Sequence, residues 1–409
     1  MRITTIEALR AHLQALPFAN PRVVASGNHS VPWPLLVEVD KALPAYRLFM
    51  LNAPRGIPIR AGVTHETPFV GAGMRGSASL AYYPCRLSLV PSLLKAQTPP
   101  DIVLLHTAPP RHGLLSLGIE VNILPAAIEA ARARGALVIA QINPQLPFTY
   151  GDSLVPVEEV DLAIEVDEPI APMTSRPVND DQRAIGAHVA ALVPDGATLQ
   201  LGIGAIPDAA LELLRERRGL RIWTEMLSDG VLGLDRAGAL GEGLLTTSFA
   251  AGSAELHQWL DGNERVIFCR TERTNDPAMI ARQPQMTSIN AALQVDLFAQ
   301  ANASYVDGRI YSGFGGQTDF IVGALHATSG RAIVALPSWH AKSGTSTIVR
   351  HLPGPATSFQ HSYVVTEHGA AAIWGRPQAE QAHELIERAA APAARDDLRS
   401  AARELFGPA

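Results

Sequence analysis

The alternation of short, uninterrupted apolar runs with helical segments constrains this chain more than any other feature. "RVVAS" (22–26), "YRLFML" (46–51), "DIVLLHTA" (101–108) and "GALVIAQI" (135–142) each read as a strand buried on both faces. Between the last two, "NILPAAIEAARARG" repeats apolar and alanine positions at helical spacing until Gly135 ends it. That is a strand–helix–strand unit, and continuous rather than alternating apolar strands specify a parallel sheet covered on both faces. The pattern restarts at "ATLQLGIG" (197–204), after the Pro194-Asp195-Gly196 turn. Pro207 then falls in the first turn of a helix expected to bury Ile206, Ala210, Leu213 and Leu214, with Gly219 closing it. "LRIWTE", "RVIFCR", "RAIVALP" and "SYVVTEHG" supply further strands to this second half.

A chain of 409 residues exceeds one ordinary core. The expectation is an α/β protein with two open, mostly parallel-sheet domains, 1–172 and 181–409. A linker at 173–180 lies in the polar, proline-rich stretch "EVDEPIAPMTSRPVND" (165–180). Ligands of open parallel sheets bind beyond the carboxyl ends of the strands, so functional residues belong there.

Composition narrows the partners. Hydrophobic content of 47% with 18% charged residues describes a well-buried globular protein. A net charge of −6 gives no general attraction to nucleic acid or to an anionic membrane, so any anion must be held by local donors. Cys85 and Cys269 stand far apart in apolar contexts, outside any metal-ligand spacing, and read as buried thiols in a reducing compartment. The N-terminal "MRITTIEALRAHLQALP" reads as an amphipathic helix without the apolar core of a signal peptide. No apolar segment reaches the roughly 18 to 20 residues of a membrane span. The expected location is the cytoplasm.

The strand ends carry the candidate chemistry. In "GLRIWTEMLSDGVLGL" the apolar run stops at Thr224-Glu225, before a turn-like Ser228-Asp229-Gly230. A lone carboxylate there is a solvated terminus, a salt-bridge partner or the reacting group, and the residues alone leave all three open. "LGIGAIP" places Gly202 and Gly204 between strand and helix, where a helix N-terminus can meet an anion or a developing oxyanion; a plain tight turn fits equally. "YSGFGGQTDF" (311–320) concentrates Gly313, Gly315 and Gly316 before Gln317, with Tyr311, Phe314 and Phe320 as expected anchors. Lys342, followed by Ser343-Gly344-Thr345, reads either as a phosphate contact or as a solvated loop lysine. Asn28 follows the first strand; His29 and His112 read as polar loop residues. No Gly-x-Ser-x-Gly elbow, His-Glu-x-x-His run or P-loop occurs, which removes the usual support for serine hydrolases, zinc hydrolases and NTPases.

Taken together, "NPQLPFTYGDS", "LQLGIGAIPDA", "TEMLSDGV", "INAALQVDLFAQANA", "YSGFGGQTDF" and "VVTEHGAAAIWGR" resemble, in order and spacing, a class I coenzyme A transferase of the acetyl-CoA hydrolase/transferase group, most similar to 4-hydroxybutyrate CoA-transferases. The resemblance covers nearly the whole chain. It implies an active site between the two domains, with Glu225 as a nucleophile that carries CoA as a thioester. The loop from Gly202 through Ile203 and Gly204 to Ala205, and the loop from Gly313 to Gln317, would supply backbone donors to the acyl oxyanion and hold the pantetheine arm. Gln200 and Asn28 match positions facing the substrate. Coenzyme A would be a co-substrate, with no permanently bound cofactor and no metal; the partners would be a short acyl-CoA and a carboxylate, in a homodimer or larger assembly. The chain departs from the pattern at Trp339 and His340 and in "GNHSVPWP", which bear on the acyl or CoA pocket. Two competing expectations use the same residues: an acyl-CoA hydrolase that lets water take the acyl group, and a non-catalytic CoA-binding regulator. A sugar-phosphate isomerase is a third.

Overall fold

The computed structural model describes every residue except 174–176, 203, 355, 357–359 and 408–409. Two compact units divide the chain. One comprises Met1–Thr174, Leu244–Thr274 and Ser312–Gly315; the other comprises Ser175–Gly243, Asn275–Tyr311 and Gly316–Ala409.

The first unit is built on strands β1 (Arg2–Ile3), β2 (Arg22–Ala25), β3 (Tyr46–Phe49), β4 (Val63–Thr67), β5 (Leu80–Tyr82), β6 (Ile102–Arg111), β7 (Leu137–Ile142) and β8 (Leu162–Glu165). Their spatial order, β1-β8-β7-β6-β2-β3-β4-β5, is parallel throughout. Ile102 to Leu105 on β6 are all 0% exposed, as a strand covered on both faces requires. Each such side chain contributes about 1.5–3 kcal/mol by leaving water. Helix α1 (Ile6–Gln14) starts at Thr5, whose hydroxyl accepts from Ala8 N at 3.2 Å, and buries Leu9 and Leu13, one turn apart. The helix between β6 and β7, α2 (Leu124–Arg132), buries Ala126, Ala127, Ala130 and Ala131 and gives way to Gly135 at φ 66°. The expected strand–helix–strand unit is present.

"RVIFCR" forms its strand, but in this unit. Val266–Phe268 pairs with Tyr150–Gly151 on one side and Leu245–Thr247 on the other. Periodicity specifies a strand and not the sheet it joins, which is why the sequence placed it in the second half.

The second unit contains β9 (Thr198–Leu201), β10 (Arg221–Ile222), β11 (Thr287–Ala291), β12 (Arg331–Ala335), β13 (Tyr363–Thr366) and β14 (Gly369–Ala372). The order is β10-β9-β11-β12-β13-β14, parallel except for the β13/β14 hairpin. Phe320, Ile321, Val334, Leu336, Val364 and Leu385 are among its buried core. Helix α3 (Asp180–Ala191) begins with a capping box: Asn179 Oδ1 accepts from Gln182 N (2.8 Å), and Gln182 Oε1 accepts from Asn179 N (3.0 Å). Helix α4 (Ala205–Leu213) buries Pro207, Ala209, Ala210 and Leu211, while Leu213 is 48% exposed and Ile206 half-buried. The expected stripe fails at that end because the helix tightens into a 3-10 turn at Leu214–Glu216, which carries Leu214 and not Leu213 into the core. Ser228-Asp229-Gly230, expected as a turn, is the start of helix α5 (Asp229–Arg236). A Cβ on Gly230 would lie 2.2 Å from Leu211 Cδ1, so the glycine permits α5 to pack closely on α4.

Both sheets reverse direction once. In the first unit the chain moves outward from β2 through β5 on one side and from β6 through β8 on the other, so the crevice lies between β2 and β6. In the second it lies between β9 and β11, since β10 flanks β9 on the opposite side. Among the described residues, no helix is long and apolar enough to cross a membrane.

Candidate active site

Strand β10 passes into the site through Trp223, 8% exposed, whose N–H donates to Leu199 O at 3.1 Å and so extends the ladder with β9. Thr224 is fully buried. Its hydroxyl accepts from Leu201 N (3.2 Å) and donates to Met226 O (2.9 Å), pinning the chain to the last residue of β9. Glu225 therefore stands past the carboxyl end of the edge strand β10, one residue from a fixed clamp.

Glu225 Oε2 accepts from Asn275 Nδ2 at 2.8 Å. Asn275 is itself 0% exposed and directly precedes Asp276, the N-cap of the helix Pro277–Ala281. Gly316, the N-cap of α6 (Gln317–His326), completes the wall. A Cβ there would sit 1.9 Å from Glu225 Oε2 and 2.2 Å from Asn275 Nδ2, so only glycine fits. Glu225 is half-buried as a residue, and its carboxyl is packed deeply enough that burial pushes it up to about 7. The Asn275 hydrogen bond opposes this rise, and the negative charge of Asp319, 0% exposed in the first turn of α6, adds to it. A deeply packed carboxylate raised towards neutrality and met by a neutral amide donor is equipped to react and poorly suited to be a surface ion pair.

The neighbouring candidates are distributed around this point. Gln200 on β9 accepts from Asn290 Nδ2 of β11 at 3.1 Å, bridging the switch point. Gln317 donates through Nε2 to Ala291 O, at the end of β11, at 3.3 Å. Gly202 follows Leu201, which Thr224 clamps; a Cβ at Gly202 would meet nothing closer than Pro207 Cγ at 3.7 Å. Gly204 caps α4 at φ 117°, a conformation glycine alone adopts readily, and Ala205 is the first helical residue. Ile203 lies outside the described residues.

Gly313 and Gly315 belong to the first unit, packed on Pro68 and Phe69. Ser312 O accepts from Val70 N (2.7 Å) and Gly315 O from Leu87 N (2.9 Å), so this is an anchored loop. Of the expected aromatic anchors only Phe320 is buried; Tyr311 is 44% exposed and Phe314 half-buried. Backbone hydrogen bonds and glycine close packing hold the loop in their place. Lys342 is exposed in the turn of a small hairpin, Trp339–His340 paired with Thr345–Ser346, and no described contact ties it to Glu225. Asn28 lies in the first unit past the end of β2, buried and hydrogen-bonded to Glu120 and Asn52. Cys269 is buried, which pushes its thiol up to about 11 and keeps it inert; Cys85 is only half-buried, its thiol donating to Arg86 O.

Asn275 was not among the sequence candidates. Its only local signal is the Asn275-Asp276-Pro277 helix start, which reads as capping chemistry.

The chain thus forms two α/β units with open, mostly parallel sheets, one of them holding a glycine-walled, amide-donated carboxylate at the end of a strand. Residues 62–174 match the acetyl-CoA hydrolase/transferase N-terminal domain and residues 252–402 the C-terminal domain of the same name. The chain belongs to the acetyl-CoA hydrolase/transferase family. It is 36% identical to the 4-hydroxybutyrate coenzyme A transferase of Clostridium kluyveri, over 84% of this chain and 82% of that protein. It is 38% identical to the succinyl-CoA:acetate/propanoyl-CoA:succinate CoA transferase of Fasciola hepatica, over 93% of this chain and 84% of that one. Among solved structures, RipA from Yersinia pestis superposes with a TM-score of 0.90 at 28% identity, covering 100% of this chain and 98% of RipA.

Proposed function

We propose that the protein transfers CoA between a short-chain acyl-CoA and a carboxylate such as acetate, through a covalent glutamyl-CoA thioester on Glu225. The Glu225 carboxylate attacks the acyl-CoA carbonyl carbon, the C–S bond breaks, and CoA leaves as thiolate from a mixed anhydride. The thiolate attacks the glutamyl carbonyl, releasing the first acid and leaving glutamyl-CoA. A second carboxylate attacks this thioester, and the returning thiolate takes its acyl group, freeing Glu225. No bond energy is lost to water, so no ATP is required. The observation that carries the reading is the Glu225 carboxylate fixed by Asn275 against the bare Cα of Gly316.

Asn275 orients the attacking carboxylate. The N–H groups of Gly202 to Ala205 and Gly313 to Gln317 are the proposed oxyanion and pantetheine donors, each worth about 3–4 kcal/mol in comparable sites. Lys342 is assigned to a phosphate of CoA, Gln200 and Asn28 to the substrate. Acyl-CoA treatment followed by borohydride and peptide mass spectrometry should find a reduced side chain at Glu225. Modification elsewhere, or full activity in Glu225→Ala, would sink the mechanism. The family includes acetyl-CoA hydrolases as well as transferases. Transfer predicts that acetyl-CoA is consumed only when an acceptor carboxylate is present, its CoA reappearing as the acceptor's thioester; free CoA released without an acceptor establishes hydrolysis instead.

A further inference from the structure

The Asn275 hydrogen bond holds Glu225 by the far end of its side chain, at Oε2. Several rotatable bonds separate that oxygen from the backbone, so a fixed head on a loose root would still wander. The root lies just past the ladder bond from Trp223 N to Leu199 O, beyond the end of β10. There the Thr224 hydroxyl takes over from the sheet. Thr224, Glu225, Leu201 and the turn that follows Leu201 all belong to the second unit.

Thr224 Oγ1 accepts from Leu201 N (3.2 Å) and lies within donating distance of two carbonyls, Met226 O at 2.9 Å and Leu201 O at 3.3 Å. The bond to Met226 O spans Glu225, joining the residue before it to the residue after it. The bond from Leu201 N reaches the last residue of β9, directly before Gly202 and the turn that leads through Gly204 into α4. Thr224 is 0% exposed, so water does not replace these partners. Its β-branched side chain is stiff about χ1, which keeps the hydroxyl in one place. A single hydroxyl thus ties the backbone of Glu225 and the start of the glycine turn into one body.

We propose that Thr224 is a positioning residue for the covalent step: it fixes the backbone of Glu225 relative to the turn that begins at Gly202, so that the carboxylate and the donors assigned to the acyl oxyanion keep one spacing. The inference rests on the glutamyl-CoA reading and deepens it. Thr224 takes up no proton and forms no bond to substrate; it acts through the placement of Glu225. Misplacing a reacting atom slows the bond-forming step and leaves the affinity for remote parts of a substrate in place.

The test follows formation of the Glu225–CoA thioester from acetyl-CoA without an acceptor, quenched at intervals and read by peptide mass spectrometry over a range of acetyl-CoA concentrations. Valine matches threonine in shape and lacks the hydroxyl. Thr224→Val should lower the maximal first-order rate constant about 10- to 100-fold and leave the half-saturating concentration within about twofold. Thr224→Ser keeps the hydroxyl and should return the rate constant to within about threefold of the wild type. A purely structural role would reduce the amount of protein that reacts and leave the rate constant of the folded fraction unchanged. Where Thr224→Val does not fold, Thr224→Cys, whose thiol is a weak donor and acceptor, should show an intermediate loss. An unchanged rate constant, a loss carried by the half-saturating concentration, or a loss that serine does not restore overturns this inference alone. Absence of an adduct at Glu225 in the wild type removes the glutamyl-CoA reading and this one with it.

Discussion

Glu225 shows how one position can be prepared for chemistry by its surroundings. Its carboxyl is raised by burial, raised further by Asp319 and lowered by Asn275, to about 7. In the proposed mechanism only the ionised form of Glu225 attacks, so kcat/KM should rise with pH, about tenfold per unit, and level off above about 7. Asn275→Leu removes the opposing donor and should move this limb to higher pH; Asp319→Asn removes a negative charge and should move it lower. The pH dependence of stability has the opposite sense. Between the ordinary glutamate value and about 7 the folded chain keeps a proton that the unfolded chain has released. The contribution of Glu225 to stability is thus complete at acid pH and is lost as the pH rises through 7, a dependence absent from Glu225→Gln. Rate profiles and denaturation of these variants across pH 5–9 check both signs. The carboxylate itself was legible in the sequence, because a charge that ends an apolar run is conspicuous. Its donor was not, because Asn275 lies 50 residues further on and nothing local points back.

At the scale of elements, the two glycines of "LGIG" have different reasons to be glycine. Gly202 has room for a Cβ, with Pro207 Cγ at 3.7 Å, whereas Gly204 caps α4 at φ 117°. Gly202→Ala should leave stability within about 0.5 kcal/mol of the wild type. Gly204→Ala should cost about 1–2 kcal/mol, the strain of a left-handed cap. Chemical denaturation of both variants separates them, and equal losses would contradict the assignment. The same division runs through the other loop, where Gly313 and Gly315 pack on Phe69 while a Cβ on Gly316 would meet Glu225. Sequence shows a cluster of glycines and not which neighbour each one must admit, since those neighbours come from distant segments. Helical periodicity fared better: α2 was read correctly from its alanine spacing, while α4 was misread where the 3-10 turn breaks the period.

For the whole molecule, strand and helix types were largely readable because burial on both faces leaves a continuous apolar mark. Membership of a sheet was not, as Val266–Phe268 shows. The first unit draws on Leu244–Thr274 and Ser312–Gly315. These segments provide the strand Val266–Phe268 beside Tyr150–Gly151, with Leu245–Thr247 on its far side, the Asp261 carboxylate that accepts from Phe148 N at 2.8 Å, and the Arg270 guanidinium on Glu129 at 2.5 Å. A fragment of residues 1–174 should therefore lack cooperative unfolding and show little hydrogen-exchange protection over 148–151 compared with the full chain. Cooperative melting of the fragment with native protection there would refute this.

That interleaving also sets a clock on synthesis. A ribosome adding roughly 5–20 residues per second needs about 5–20 s more to pass from residue 174 to residue 274. Throughout that interval the nascent first unit holds Tyr150–Gly151 without its partner strand and Glu129 without Arg270. The early half of this protein must wait for the later half to be made.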